Sequence, residues 1–580
     1  MILQALVKYY EDMAAKGKIA EYGWGPAKIS YVLCIDEDGN LLQAISVKEE
    51  SANEKKKTLV PQSMILPAAV KRSSGVAPNF LWDNSAYILG IDGKGNAERA
   101  RNCFEACKEF HKGLLKDIDI PEAKALLCFF DKWAPDSAKE HPALAEEYED
   151  IIASSNLVFQ FQGRYLHENT LIREAWTKYY QGTDGKAEGI CLVTGKTGPV
   201  AVLHPSIKGI PGAQSSGASL VSFNAPSFCS YGQEQGFNAS TSEYAAFAYG
   251  AALNYLISER DHHYRIGDTT VLCWAEGGEG EYPGLMGFFA FGAKSPYSEK
   301  ELTNKVHDLL KGKYVEIDGR KLDPEKPFYI LGISPNAARL SVRFFLQNSF
   351  GNILRNVNEH YERLRIQRPA DDFVENLPLW RLLSETVNQN ARDKSPAPKL
   401  AGEVLRAVLT GGRYPATLLN GVILRIRAEH KVTRGRAAII KAYYSRNINP
   451  YVPKEEVLKV SLNKESSSIP YQLGRLFSTL EAIQSAANPG INSTIKDKYF
   501  NSASATPAVV FPVLIKLAEK HLKKIKGGLH KTLATQLSEV LGKIGEEFPA
   551  RLNLPQQGSF QLGYYHQTTV RFESKKKEEE

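Results

Sequence analysis

The stretch KISYVLCIDEDGNLLQAISV (residues 28–47) sets the architecture of the first part of the chain. Residues 28–35 and 41–47 are rich in side chains that favour β-strands. Between them stands Asp-Gly-Asn (38–40), a turn sequence that favours a tight link between antiparallel strands. The preceding MILQALVKYYEDMAAKG (1–17) has the apolar spacing of an amphipathic helix. The first 50 residues therefore predict a helix followed by a β-hairpin.

Strand-like and helix-like patterns then alternate as far as about residue 350. Three helical segments fill residues 97–154, and an Ala-rich helix is predicted over 242–260. The strand-like runs are LVFQFQG (157–163), TTVLCWA (269–275), FYILGISPN (328–336) and ARLSVRFFL (338–346). A Gly/Ser/Asn-rich loop covers 209–240, and its length and composition indicate a functional segment that orders on binding.

Beyond residue 350 the apolar residues recur at the spacing of a helix, for example in LAGEVLRAVLTG and YQLGRLFSTLEAIQSAA. The predicted fold class is α+β: a mixed N-terminal region with antiparallel strands and long loops, then an all-α C-terminal helical bundle. The predicted domains are 1–350 (mixed α+β), 351–400 (linker and first helices), 401–570 (basic helical bundle) and 571–580 (a frayed, charged tail).

Composition places the chain among intracellular globular proteins. It has 580 residues, of which 43% are hydrophobic and 24% charged, and no apolar run approaches the length of a membrane span. We expect a cytoplasmic protein that does not enter a membrane. Its seven cysteines are odd in number and lie in apolar surroundings, which predicts buried free thiols. Cys103 and Cys107 could share a helix face, but no second Cys/His pair stands nearby, so we predict no metal and no cofactor.

Charge is distributed unevenly along the chain. Residues 401–580 carry 27 Lys/Arg against 15 Asp/Glu, whereas the whole chain carries 72 against 65. The C-terminal third is therefore the basic part, which favours a polyanion partner because each neutralised phosphate releases counterions. A Lys-rich solvated helix surface is the alternative interpretation.

Short motifs for catalysis are incomplete. Gly195-Lys196-Thr197 follows an apolar run, but the glycine that a phosphate-binding loop needs five residues earlier is replaced by Ile190. Asp261-His262-His263 has the signature of a metal-dependent phosphoesterase or nuclease, yet the acidic strand ends that would hold a second ion are missing. The sequence predicts no catalytic residues, and a turn is the simpler interpretation of both motifs.

Two segments have the residue types of nucleic-acid binding. In the first, Lys71, Arg72 and Ser73 offer phosphate contacts, and Asn79 and Asn84 could bond base edges. A solvated loop with its turn residues is the alternative. In the second, tyrosines are interleaved with cations, a pattern suited to single strands, although some of these tyrosines will be core residues. The arginines concerned are Arg413, Arg425, Arg427, Arg434 and Arg436.

Long segments spread from residue 1 to residue 567 resemble one known family. They include KRSSGVAPNFLWDNSAYILG (71–90), FNAPSFCSYGQEQGFNASTSEYAAFAYGAALNYL (223–256), GGRYPATLL (411–419), INSTIKDKYFNSASATPAVVFPVL (491–514) and GYYHQ (563–567). On these segments the chain resembles the large subunit of the type I-C CRISPR Cascade surveillance complex.

The resemblance implies a non-catalytic subunit in antiviral defence. It would recognise the target-flanking motif on double-stranded DNA, help unwind it and stabilise the R-loop, while guide RNA reads the sequence by pairing. The implied partners are guide RNA, target duplex and displaced strand, the Cascade backbone, guide-processing and small subunits, and a separate helicase-nuclease. Besides Lys71, Arg72, Ser73, Asn79 and Asn84, a second motif-reading candidate is the loop with Asn224, Gln233, Gln235 and Asn238, and either groove could be read.

Overall fold

The computed structural model describes residues 1–50, 59–70, 75–93, 95–153, 155–182, 186–293, 298–317, 319–397 and 399–579. The fold is α+β, as predicted. Contacts divide the chain into two units: Met1–Pro205 with Ser222–Ala252, and Ser206–Val221 with Leu253–Glu580. Within the described ranges, no helix combines the length and apolar character that crossing a membrane requires.

The first unit is a mixed α/β body. Its helices are α1 (Ile2–Ala15), α2 (Ser85–Ile88), α3 (Ala97–Leu115), α4 (Pro121–Lys132), α5 (Tyr148–Ile152) and α6 (Thr170–Tyr180), and α7 (Glu243–Ser258) leads into the second unit. Its strands are β1 (Trp24–Ile29), β2 (Tyr31–Ile35), β3 (Leu41–Ser46), β4 (Glu49–Glu50), β5 (Leu59–Val60), β6 (Gln62–Pro67), β7 (Trp82–Asn84), β8 (Asn156–Phe161), β9 (Arg164–Tyr165), β10 (Glu188–Ile190) and β11 (Thr197–Pro199).

The main sheet of this unit has the order β3-β2-β8-β7, with β9 paired to β8. The predicted hairpin is present: β2 and β3 are antiparallel, and the backbone N–H of Asn40 donates to Asp36 Oδ1 at 2.8 Å in the turn. The predicted first strand is divided, because β1 leaves the sheet and pairs with β6. The segment 51–95, in which the sequence shows no clear strand pattern, contains β5, β6, β7 and α2. Its short strands lack the β-branched runs by which strands are recognised.

A buried histidine fixes an unusual turn in this unit. Leu81 has a positive φ of 65°, a strained conformation for a branched residue, and its backbone N–H donates to His111 Nε2 at 2.8 Å. The Nδ1 of His111 bonds the carbonyl oxygen of Cys107 at 2.8 Å, so both ring nitrogens have partners and the ring is neutral. Burial lowers the pKa of His111 to about 4.

The second unit combines another sheet with the helices of the last third. Its strands are β12 (Ser206–Ile207), β13 (Ala218–Ser219), β14 (His263–Ile266), β15 (Thr269–Ala275), β16 (Val315–Ile317), β17 (Arg320–Leu322), β18 (Pro327–Asn336) and β19 (Arg339–Ser349). Its helices are α8 (Glu281–Phe291), α9 (Glu299–Leu310), α10 (Phe350–Leu364), α11 (Leu379–Ser384), α12 (Leu400–Thr410), α13 (Ala416–Glu429), α14 (Arg434–Arg446), α15 (Lys454–Val457), α16 (Ile469–Ala487), α17 (Ile495–Ala505), α18 (Pro507–Leu522), α19 (Gly527–Ile544) and α20 (Leu554–Glu579).

Sheet and helices of the second unit share a hydrophobic core. The sheet has the order β12-β13-β19-β18-β15-β14. One cluster of buried apolar side chains extends from Ile266 on β14 to Tyr565 on α20. The boundaries expected at residues 350 and 400 fall inside this unit, and as a division of function they remain a prediction.

Helix α16 is the central helix of the bundle. All residues from Tyr471 to Ile483 are buried, and the helix packs against α17, α18, α19 and α20. Its approach to α20 is close because two glycines lie at the crossing. A Cβ added at Gly474 would lie 1.9 Å from the carbonyl oxygen of Phe560, and one at Gly563 would lie 2.0 Å from that of Tyr471.

Buried polar side chains also link α16 to α20. Tyr471 Oη and His566 Nδ1 are 2.8 Å apart, and Arg475 Nε donates to Gln567 Oε1 at 3.0 Å. The hydroxyl of Tyr564 donates to Glu481 Oε2 at 2.8 Å. Because buried polar groups without partners are costly, these bonds select one register of the two helices.

The end of the chain differs from its prediction. The segment 571–580 was expected to be a frayed tail, whereas α20 extends to Glu579. Lys and Glu are good helix formers, so a helix already fixed by the buried part of α20 continues through them.

Substitution of Gly474 by alanine should destabilise the bundle. The new Cβ would force α16 and α20 apart, which we expect to lower the free energy of unfolding by about 1–3 kcal/mol, the range for overpacked cores. Gly542→Ala on α19 is the control, because a Cβ there meets nothing within 4 Å. That change should stabilise the helix by about 0.5–1 kcal/mol. Urea denaturation followed by circular dichroism measures both, and equal stability of the two variants would contradict the close approach.

The neutral His111 should make stability depend on pH. Its folded-state pKa lies below the value of about 6.5 in the unfolded chain, so its contribution is complete above pH 6.5 and falls as the pH drops toward 4. The loss should reach about 3 kcal/mol at pH 4, at 1.36 kcal/mol per pKa unit. In His111→Gln, which has no proton to gain, the decrease in unfolding free energy from pH 6.5 to 5 should be smaller than in the wild type. Parallel pH profiles would refute this role.

Candidate nucleic-acid interface

The first predicted surface is only partly described. Lys71, Arg72 and Ser73 lie outside the described residues. On either side of them the chain is anchored: the backbone N–H of Val70 donates to Asn79 Oδ1 at 2.9 Å. Asn79 N–H in turn donates to Asp83 Oδ2 at 2.9 Å. These bonds fix the described flanks of the segment 71–74.

Asn79 and Asn84 have structural roles that the sequence did not reveal. Asn79 is 4% exposed and its side-chain oxygen accepts the bond from Val70, so it does not present an edge for a base. Asn84 is the N-cap of α2, and its Oδ1 accepts a hydrogen bond from Ala86 N at 3.1 Å. The geometry thus favours the turn interpretation of both residues over base reading.

The second predicted surface is the loop at residues 224–238. Asn238 organises it: its Oδ1 accepts from Ser230 N at 2.8 Å, and its Nδ2 lies 3.1 Å from both the Gln233 and Gln235 carbonyl oxygens. With its side chain used in this way, Asn238 is a positioning residue rather than a reader. The loop is hydrogen-bonded within the chain, and its ordering on binding stays a prediction.

Exposed side chains lie on the surface of this hydrogen-bonded loop. Asn224, Gln233 and Gln235 are exposed, and Tyr231 is fully exposed. Tyr231 and Gln235 both have positive φ values, 54° and 47°. Such backbone strain persists only where the surroundings impose it, and it occurs often at binding loops. Tyr231 was not among the predicted residues, and its signal in the sequence is an aromatic inside a Gly-rich loop.

In the helical third, Arg434 and Arg436 are structural. Arg436 is 2% exposed and forms ion pairs with Glu429 at 2.6 Å and Glu385 at 3.2 Å. Arg434 is also buried and pairs with Asp372 at 3.0 Å. Their prediction as nucleic-acid contacts is corrected here, because residues 434–442 of α14 are all buried and both guanidinium groups have partners inside the protein.

Other residues of the segment in which tyrosines are interleaved with cations lie in the interior. Tyr414 and Tyr444 are core residues. Lys441 is buried as well, and burial lowers its pKa to about 8 while its Nζ donates to the Arg363 carbonyl oxygen at 2.9 Å. The interleaved aromatics therefore do not form a stacking surface along this segment.

The remaining predicted arginines lie nearer the surface. Arg413 is exposed. Arg425 is half-buried and pairs with Glu429 at 3.4 Å. Arg427 is exposed, but its guanidinium donates to Gln557 Oε1 at 2.7 Å. Of the predicted set, Arg413 is thus the most accessible to a phosphate.

A larger basic surface, absent from the prediction, lies on α18, on the link 523–526 and at the start of α19, and we call it the lysine hairpin for this order of helix, link and helix along the chain. Glu519 is the only acidic residue between 513 and 531. Within the described part of the chain, the exposed lysines of this stretch form no ion pair. Burial and the neighbouring Lys524 both lower the pKa of His521. The lysines are Lys516, Lys520, Lys523, Lys524, Lys526 and Lys531. Their spacing in VLIKLAEKHLKKIKGGLHK is the signal that could have revealed them.

The catalytic alternatives find no support in the described parts of the chain. His262 is buried, and its Nδ1 lies 2.9 Å from the Cys273 carbonyl oxygen. His263 Nδ1 bonds the Glu259 carbonyl oxygen at 2.9 Å, so the two rings serve the turn between α7 and β14. The described residues contain no group of three or more His, Cys, Asp or Glu side chains able to hold a metal ion. Gly195 lies in the turn between β10 and β11.

Comparison with known proteins identifies the family to which the chain belongs. A family model matches residues 6–572, nearly the whole chain, and it describes CRISPR-associated proteins. The chain belongs to that family, CRISPR-associated protein (Cas_Csd1). No curated protein matches the sequence.

Asn238 should control the order of the 224–238 loop. Asn238→Ala removes the acceptor of the Ser230 N–H, and we expect amide hydrogen exchange at residues 230–238 to become at least about tenfold faster, the factor for about 1.4 kcal/mol of lost protection. Gln233→Ala, whose exposed side chain is not part of this network, is the control and should leave exchange unchanged. If the wild-type loop already exchanges at the rate of a free peptide, this account of the loop is wrong.

Proposed function

We propose that the chain is the non-catalytic large subunit of a type I-C Cascade, acting in the cytoplasm in antiviral defence. In this role it recognises the target-flanking motif on double-stranded DNA, helps to open the duplex and stabilises the R-loop. The family match over residues 6–572 is the observation that carries the proposal. The resemblance of the long segments across the chain narrows it to this subunit.

The lysine hairpin of α18 and α19 supports contact with the displaced strand. A single strand carries its charges along a flexible backbone, and exposed lysines on long stems can follow it without reading bases. Cations near the end of α18 also offset the helix dipole, but that effect is confined to the last turn. It does not account for Lys526 and Lys531, which lie beyond the end of that helix.

The 224–238 loop supports a role in reading the flanking motif. Gln233 and Gln235 carry amides that bond base edges, and Tyr231 offers a ring that can stack or wedge between bases. Lys71 and Arg72 would supply phosphate contacts that fix the register. Asn238 and Asn79 would then support the two segments rather than touch DNA.

In this proposal cleavage belongs to a separate helicase-nuclease. The guide RNA, the backbone and guide-processing subunits and the small subunits are the other partners. A metal-dependent nuclease built on Asp261 and His262 is not supported, because the His262 ring faces the interior.

Removal of hairpin lysines should weaken single-strand binding and its dependence on salt. We expect Lys516→Ala/Lys520→Ala/Lys523→Ala/Lys524→Ala to lower the slope of log affinity against log salt by about two to three units, at about 0.7 per lost contact on single strands. Fluorescence anisotropy of the full chain with a labelled oligonucleotide measures it. The matched control is Lys18→Ala/Lys112→Ala/Lys116→Ala/Lys139→Ala, four exposed lysines of the first unit. Equal slopes for both variants would contradict the assignment.

Changes in the loop should separate motif reading from phosphate anchoring. In the assembled complex, Gln233→Ala/Gln235→Ala should reduce the preference for the correct motif by roughly tenfold or more, since one good base contact is worth about 1–3 kcal/mol. Lys71→Ala/Arg72→Ala should instead weaken all duplexes alike. Gln181→Ala, an exposed glutamine elsewhere in the first unit, is the control. Unchanged preference in the glutamine variant, measured by duplex binding with altered motifs, would remove this loop from the proposal.

A further inference from the structure

The turn between α12 and α13 holds an exposed arginine on a fixed backbone. It comprises residues 411–414, and Gly411, directly after α12, has a φ of 64°, a conformation that favours glycine. The side chain of Asn447 bonds both backbone groups of Tyr414: its Oδ1 accepts from the N–H at 3.0 Å, and its Nδ2 donates to the carbonyl oxygen at 2.9 Å. Arg413, between these held neighbours, is exposed and forms no ion pair with the described residues.

Side chains of α10 support the turn from the interior. The Tyr414 hydroxyl lies 2.6 Å from His360 Nδ1 and accepts a hydrogen bond from Arg363 Nε at 3.3 Å. The tyrosine and histidine rings are both buried. Asn356 Nδ2 donates to the Leu409 carbonyl oxygen at 2.8 Å, which ties the end of α12 to α10 as well. A backbone held in this way loses little conformational freedom when a ligand binds to the exposed side of the turn.

A second guanidinium group lies beside this turn. Arg446, the last residue of α14, donates from Nε to the carbonyl oxygens of Gly411 at 2.6 Å and Gly412 at 3.3 Å. Arg446 is exposed, and its two Nη groups bond no other group in the described part of the chain. Capping of the α12 C-terminus accounts for Arg446, but it does not account for Arg413. Because Arg413 directly follows Gly412, the turn brings two exposed cations together.

The carboxylates of the neighbouring helices do not neutralise these cations. The glutamates near the end of α10 already pair with arginines of their own segment, Glu359 with Arg363 at 3.2 Å and Glu362 with Arg365 at 2.9 Å. On α12, Glu403 lies one turn before the exposed Arg406. The sequence of α14 contains no acidic residue, and the one acidic residue of α13 is Glu429, at the far end of that helix. The exposed surface of the turn is therefore positively charged.

A third exposed cation, Arg355, lies at the edge of the α10 face that supports the turn. It directly precedes Asn356, and its Nη1 donates to Asn352 Oδ1 at 2.5 Å. Within the described residues Arg355 forms no ion pair. Like charges held close together repel one another, and a bound anion removes that repulsion. The guanidinium group matches the oxygens of a phosphate, with which it forms two parallel hydrogen bonds.

We propose that Arg413 and Arg446, flanked by Arg355, bind the phosphodiester backbone of a nucleic-acid strand. Tyr414, the aromatic residue of the turn, is buried, so the site contacts phosphates and does not read bases. Arg446 also acts as a positioning residue, because its Nε holds the backbone from which the Arg413 side chain extends. The assembly offers two such strands, the guide RNA and the displaced DNA strand. The choice between them rests on the proposed function, whereas the phosphate chemistry does not.

The test measures binding of the full chain to a labelled single strand by fluorescence anisotropy, with DNA and RNA of the same sequence. Arg355→Ala/Arg413→Ala should lower the slope of log affinity against log salt by about 1.4, at about 0.7 per lost contact, and weaken binding about tenfold near 0.15 M salt. Arg413→Lys keeps the charge and should keep the slope. The changed side chains are exposed, so thermal unfolding should match the wild type. The control is Arg99→Ala/Arg260→Ala, two exposed arginines on α3 and after α7.

The outcomes separate this site from the lysine hairpin and from the proposed function. A loss confined to RNA would assign the site to the guide, a loss confined to DNA would assign it to the displaced strand, and a loss with both would support a contact to either backbone. If the double alanine variant binds both strands like the wild type while the four-lysine variant loses affinity, the site is wrong and the proposed function stands. An equal loss in the control would also refute the site. Absence of binding of the wild type to either strand would contradict the site and the proposed function together.

Discussion

The second unit depends on the complete burial of α16. A helix covered on every side needs close neighbours, and Gly474 and Gly563 let α20 approach it until backbone meets backbone. The same burial encloses Arg475, whose pKa is lowered by burial and whose bonds go to amide oxygens of Gln472 and Gln567 rather than to a carboxylate. A buried cation without these bonds would be strongly destabilising. Because α18 and α19 both pack on α16, the position of the lysine hairpin follows from this packing.

A comparable constraint governs the loops of the first unit. The His111 ring holds the strained turn at Leu81, the Asn79 side chain anchors the backbone at Val70, and Asn238 holds the loop that exposes Tyr231. In both places the polar side chain nearest the proposed DNA contact is hydrogen-bonded to the backbone and fixes its conformation. Neighbouring exposed side chains are then the ones able to reach a ligand. This pattern agrees with the general need to place binding groups on a preorganised support.

Much of the fold could be predicted from the sequence, because the spacing of apolar residues and the residue types of turns are local properties. The β2–β3 hairpin, the strand at Thr269–Ala275 and the switch to helices after residue 350 follow from such patterns. Site residues were harder, since burial depends on partners far along the chain. Arg436 resembles a surface cation until Glu385 and Glu429 are brought to it, and Asn79 resembles a reader until Val70 is placed beside it. The lysines of the hairpin were not predicted as a site, because their helical spacing is also that of an ordinary solvated helix face.

In the proposed function, this chain gives an RNA-guided complex its ability to recognise and open a flanked duplex without cutting it. The most direct test assembles the guide-RNA complex with and without the chain and follows opening of a matched duplex by permanganate reactivity of unpaired thymines. We predict that the duplex opens only when the chain and the correct flanking motif are both present. No strand should be cleaved until a helicase-nuclease is added. Equal opening without the chain, or cleavage by the complex alone, would contradict it.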